Sequence, residues 1–88
     1  MGLLPDDPNA PIHAARACLS NARPTTAQAF ALRATSSFPR WAPAWEVAGD
    51  VARKTGDIAA ARAAYTKALS AEGPVDKALI KQRLSALK

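Results

Sequence analysis

The sequence is poor in the side chains on which most active sites depend. It holds one cysteine, Cys18, and one histidine, His13. A lone cysteine excludes a disulfide framework and a cysteine-rich zinc site. A lone histidine excludes His-pair metal sites. The two residues stand five apart, a spacing that does not bring them to one helix face. His13 therefore reads as a partly exposed imidazole and Cys18 as a small buried thiol. Aromatics make up only 6% of the chain. There is no Asn-Gly or Asp-Gly hairpin signal and almost no β-branched run, so strands have little support. No apolar run approaches the ~18–20 residues of a membrane span. The opening residues, Met1 to Asp7, lack the basic n-region and long h-region of a secretory signal, so the expected location is the cytoplasm. No nucleophile–base pair and no phosphate loop can be assembled, so the expectation is a protein that is not an enzyme and takes no metal or cofactor.

What the chain does have is alanine, 22 of 88 residues. Alanine is the best helix former and a poor strand former, so this composition predicts an all-α fold. Small side chains also let helix axes approach closely. At 88 residues one domain is the ceiling, and the core is modest, because a chain this short buries about 60–65% of its unfolded surface. The net charge is +5. The Ala/Arg-rich composition suggests a bacterial source with GC-rich coding.

Proline and glycine divide the chain into five helical pieces. Asp7 or Asn9 is the expected cap of a first helix running to about Ser20, with Ile12, Ala15 and Leu19 on one face. Thr25 or Thr26 is the expected cap of a second, to about Ser36. Pro43 suits the first turn of a third helix, which runs to Thr55 and closes on Gly56. Asp57 caps a fourth, from Ile58 to about Ala71, stopped by Gly73-Pro74. The fifth begins at Pro74 or Val75, carries Asp76 at its positive end, and runs to about Leu87. Short connections predict an antiparallel array of helix hairpins.

Sliding the chain by 34 residues aligns Ala14 with Ala48, Ala27 with Ala61, Ala34 with Ala68 and Arg33 with Lys67. The turns and proline stops align as well. In the second copy Trp45, Gly49, Gly56, Ala61, Tyr65 and Ala68 fall in the register of a tetratricopeptide (TPR) repeat, which residues 42–75 resemble. Residues 8–41 resemble a degenerate copy: Ala15, Ala27, Ala34 and Pro39 are kept, while Pro11, Ala22 and Ala31 replace the Trp, the turn glycine and the Tyr. Residues 76–88 resemble the solvating cap helix that ends many such arrays. The expected organisation is a single domain of two helix hairpins plus a C-terminal cap helix.

The resemblance implies protein binding, with the first helix of each pair lining a concave face. On that basis the candidate partner-binding residues are Arg16, Glu46, Asp50, Arg53, Lys54, Lys77, Ile80 and Leu84, with Ile12 and Leu19 beside Arg16. A peptide or helix of another protein is the expected partner. The carboxylate-clamp version of the family is disfavoured, because Asn9 and Asn21 do not occupy matching places. Two alternatives stand beside this reading. Lys77, Lys81, Arg83 and Lys88 form a basic stretch that suits nucleic acid or an anionic protein, or else a solvated cap face. Trp41 with Phe38 and Leu3-Leu4 would make an apolar surface for self-association, or else Trp41 packs over the junction of helices two and three. Two repeats are fewer than the three or so that such stacks usually need, which favours an oligomer or an accessory subunit docked on a larger assembly.

Overall fold

The computed structural model describes residues 9–73 and 75–87. The expected Asp7 cap, the Leu3-Leu4 patch, the Pro74 stop and Lys88 lie outside them. Five helices follow one another: α1 (Asn9–Ser20), α2 (Pro24–Ser37), α3 (Ala42–Thr55), α4 (Ile58–Ser70) and α5 (Lys77–Ala86). Each packs on its successor, and α1 also packs on α3. The result is an all-α array of helix hairpins, elongated to 45 × 28 × 18 Å.

The two hairpin turns repeat one motif. Gly56 closes α3 in the left-handed conformation at φ 88°, and Ala22 takes the same conformation after α1 at φ 57°. In each turn the next amide reaches back to the same relative carbonyl: Asp57 N–H to Ala52 at 2.9 Å and Arg23 N–H to Cys18 at 2.8 Å. This is the six-to-one bond of a Schellman closure. The first turn lacks glycine but not the geometry glycine usually serves. Phe38 and Trp41 lead into α3 as Ala71 and Glu72 lead out of α4, and these inter-hairpin segments are bonded side by side. Ala42 N–H donates to the Glu72 carbonyl and Glu72 N–H to the Arg40 carbonyl.

Two starts differ from the sequence expectation. α2 begins at Pro24, with Arg23 at its N-cap and no side-chain cap bond, so Thr25 and Thr26 lie inside the first turn. Proline at the first position has the helical φ already set and lacks only an amide that would be unpaired anyway. α5 begins at Lys77, later than expected, because Asp76 is itself the N-cap and accepts from Leu79 N–H at 3.2 Å. Asp57 caps α4 in the same way, accepting from Ala60 N–H at 3.1 Å.

Alanine dominates the buried interior. One cluster joins α1, α2 and α3 through Ile12, Ala15, Ala27, Ala31, Ala34, Ala44, Val47 and Val51. Cys18, Leu19, Phe30 and Trp41 pack on it half-buried, while His13 is exposed. Trp41 thus sits at the α2–α3 junction, with its indole Nε1 buried and without an acceptor among the described residues. A second cluster joins α4 and α5 through Ala61, Tyr65, Ala68, Ile80 and Leu87, covered by Trp45, Leu69, Val75 and Leu84. Gly49 faces the Tyr65 ring: a β-carbon there would stand 2.5 Å from Tyr65 Cε1. The absent side chain is what lets the ring lie against the α3 backbone.

Candidate interaction face

The polar centre of the molecule is built on one side of α3. Glu46 and Asp50 are one helical turn apart and share that side, with Arg53 beside them. Packing in the hairpin array brings an arginine to these acids from either flank. Arg16 of α1 contacts Glu46 at 3.1 Å and Asp50 at 3.8 Å. Arg83 of α5 contacts Asp50 at 2.9 and 3.1 Å and Glu46 at 3.6 Å. The Tyr65 hydroxyl, from α4, donates to Asp50 as well. Four helices therefore converge on Asp50, which is buried to 7% exposure.

Two guanidiniums and two carboxylates give a cluster without formal net charge. That balance explains how Asp50 is accommodated: a buried carboxylate is costly unless it is paired and hydrogen-bonded. Arginine suits the role because its planar fork presents several donors to carboxylate oxygens. The acids have side-chain exposures of 13% and 10%, against 44% for Arg16 and 27% for Arg83. The acids lie inward and the arginines close over them from the solvent side. Tyr65 registers the same environment. Its phenol is pushed up to about 12 from 10.0, first by burial, then by its hydrogen bond to Asp50 and that carboxylate's charge; Arg53 acts in the opposite sense.

Of the residues named from the sequence, the structure brings Arg16, Glu46 and Asp50 together. Arg53 and Lys54 are exposed near the end of α3, and Lys77 is exposed in the first turn of α5. Leu84 is half-buried against the second cluster. Ile80 does not line a groove: at 0% exposure it is part of the core, because the second cluster has few other large aliphatics to fill it. Two members of the cluster were not among the candidates. Arg83 reads in the sequence as part of a basic cap, and Tyr65 as a packing aromatic. The available signal was spacing. Arg16 lies 34 residues before Asp50, and Arg83 lies 33 after it, so each stands about one repeat away on a neighbouring first helix.

Among the described residues, no helix is long and apolar enough to cross a membrane. A family model described as a tetratricopeptide repeat-like domain matches residues 12–88. No curated protein and no solved structure matches the chain. The match spans both hairpins and α5, whose register, closures and packing are those set out above, and on this ground the chain belongs to the tetratricopeptide repeat-like domain family.

Proposed function

We propose that the chain is a non-enzymatic protein-interaction scaffold that receives a peptide or helix of another protein along α1, α3 and α5. The observation that supports this is the ionic cluster. Arg16, Glu46, Asp50 and Arg83 tie the three helices edge to edge and make their outer sides one continuous surface. The cluster itself is a support for that surface, since its charges already satisfy one another. Contacts with a partner fall to the exposed Arg53, Lys54 and Lys77, to the solvent side of Arg16, and to the edge of Leu84; Ile80 is withdrawn from the set. Residues 8–41 and 42–75 as repeat units, and 76–88 as their cap, belong to the same reading.

Affinity capture from the native host tests it, with wild type compared to the Arg53→Glu/Lys54→Glu double variant. Both positions are exposed, so the variant should keep its helical circular dichroism. A protein captured by wild type and lost with the variant supports the reading. Identical captured sets would refute the assigned face. One observation favours a second reading: every described Lys and Arg outside the cluster is exposed. Association with nucleic acid would then show as a mobility shift that weakens steeply with salt, and no shift at low salt would remove it.

A further inference from the structure

The side of α3 opposite the ionic cluster is open. At about 100° per residue, Trp45, Ala48 and Ala52 lie roughly across the helix from Glu46 and Asp50. They floor a groove of about 300 Å³ whose walls are α2 and α4. Leu32 stands on the α2 wall at 65% exposure, an exposed large hydrophobic in a chain with few large aliphatics. On the α4 wall Ala60 and Ala63 are exposed and too small to fill the space. One face therefore carries a projecting apolar side chain with an apolar hollow beside it. A two-fold pairing needs that combination, because the same patch must serve as the surface of both copies.

The charges of the groove suit the same pairing. The charged residues that line it are Asp57 and Lys67, one of each sign, in a chain of net charge +5. Asp57 caps the start of α4, holding Ala60 N–H through Oδ1, and Lys67 lies toward its end, 4.5 Å from the Trp45 ring centroid. Their positions are about 15 Å apart along the helix. Two copies laid antiparallel about an axis through the groove bring Asp57 of each beside Lys67 of the other. The cleft beyond Trp45 adds Arg40 and Glu72, again one of each sign. Outside the groove the exposed charges are mainly Lys and Arg, so a pair formed there would set cation against cation.

We propose that this α2–α4 groove is the interface of a two-fold homodimer, in which Leu32 of each copy fills the alanine-walled hollow of the other. α2 and α4 have 14 and 13 residues, so each runs about 20 Å. With α3 between them at ordinary helix separations, the face measures roughly 400 Å² per copy. That is the low end of specific interfaces, below about 1,200 Å² in total, so the pair is weak and reversible. It supplies burial that two hairpins lack, since such stacks usually need three or so. The groove lies across α3 from the α1–α3–α5 face, and a dimer formed through it leaves that face free.

Sedimentation equilibrium of the chain from micromolar to millimolar concentration tests this. The mass should rise from monomer toward dimer across that range. Amide NMR spectra over the same range should move at Leu32, Ala60, Ala63 and the Trp45 indole, and stay fixed at Arg53 and Lys54. Leu32→Glu, at an exposed position and so with helical circular dichroism retained, should weaken the dimer about tenfold or more. Lys67→Glu sets two carboxylates together across the axis and should weaken it as well. Adding Asp57→Asn, which keeps a capping side chain, should then recover part of that loss. Four results would overturn the proposal. One is a monomer mass that holds to millimolar concentration, which would leave the groove to a different protein. The others are shifts confined to α1 and α5, a dimer as tight in Leu32→Glu as in wild type, and a Lys67→Glu loss that Asp57→Asn does not relieve.

Discussion

Replacing Gly49 by alanine should destabilise this protein, although the position lies inside α3, where the exchange normally helps. Glycine within a helix is about 0.5–1 kcal/mol worse than alanine, so propensity alone predicts a gain. Packing opposes it. A β-carbon at Gly49 would stand 2.5, 2.6 and 2.9 Å from three atoms of the Tyr65 ring. Ordinary carbon–carbon contacts are about 3.5–4.0 Å, so the ring must retreat by roughly 1 Å. It has nowhere to go, because Tyr65 is fully buried and its hydroxyl is bonded to Asp50. Overpacking of this sort costs about 1–3 kcal/mol, and a weakened bond to a charged acceptor adds to the loss. The net expectation is a destabilisation of about 1–3 kcal/mol, which in a domain of this size lowers Tm by at least about 4 °C.

Thermal denaturation followed by circular dichroism measures this directly, and double variants isolate the cause. In a Tyr65→Leu background the ring is gone, so Gly49→Ala should become neutral or stabilising. In a Tyr65→Phe background the ring remains and the penalty should persist, because the three clashing atoms are ring carbons. That contrast is a coupling between two residues in contact. An unchanged or raised Tm for Gly49→Ala in the wild-type background would refute the reasoning outright, as would equal penalties in the Leu and Phe backgrounds.

The remaining predictions concern the first turn, the cluster and its pH dependence. Ala22→Gly should stabilise, by up to about 1–2 kcal/mol, because Ala22 is held at φ 57° where an L side chain crowds its own backbone; chemical denaturation checks it, and a loss of stability would mean the turn is not strained. Arg83→Met should cost about 1–3 kcal/mol by removing the closest cation from Asp50, and hydrogen exchange should rise more in α5 than in α1; uniform exchange across the chain would argue against a clasp. Tyr65 is the sole tyrosine, so phenolate absorbance reports it alone. Its proton is held more tightly in the folded state, about 12 against 10.0, so its stabilising contribution is complete below pH 10 and is lost as pH rises through 12. A phenolate midpoint near 10 in the folded protein would contradict the buried hydrogen bond to Asp50.

Much of the fold was legible because it is written in local chemistry. Gly56 followed by Asp57 marks a left-handed closure and a new cap, and both are found where expected. Ala27, Ala34, Ala61 and Ala68 fall where stacked hairpins need small side chains, and all four are fully buried. Pro24 misled because a threonine is the stronger capping signal, yet proline can begin a helix without one. The site was legible only in part. Glu46 and Asp50 announce a shared face by their spacing, but the sequence does not say whether such acids look outward or are answered by the chain's own arginines. That depends on how far α1 and α5 lean over α3, which is set by packing. Leu32 shows the same limit from the other side. Its exposure follows from the gap between α2 and α4, which no pattern within α2 encodes.

The misplacement of Ile80 exposes how the two ends of this small array differ. The cluster around α1, α2 and α3 is closed largely by alanine, because three helices crowd close enough for methyl groups to meet. The cluster beyond α4 has helices on fewer sides, and small side chains cannot close it. Tyr65 fills it from one hairpin, and α5 must bring Ile80 and Leu87 from the other side. A helix recruited in this way has few large side chains left for a groove, so the apolar mass expected on the binding face is found in the core. Arg83, three residues on from Ile80 and so on the same side of α5, completes the attachment: its guanidinium meets Asp50, which also accepts from the Tyr65 hydroxyl. Tyr65 therefore serves α5 twice, by its ring through Ile80 and by its hydroxyl through Asp50. The same residue forces glycine at position 49, and so one aromatic side chain connects the packing of the α3–α4 hairpin, the seating of the terminal helix and the charge balance of the proposed interaction face.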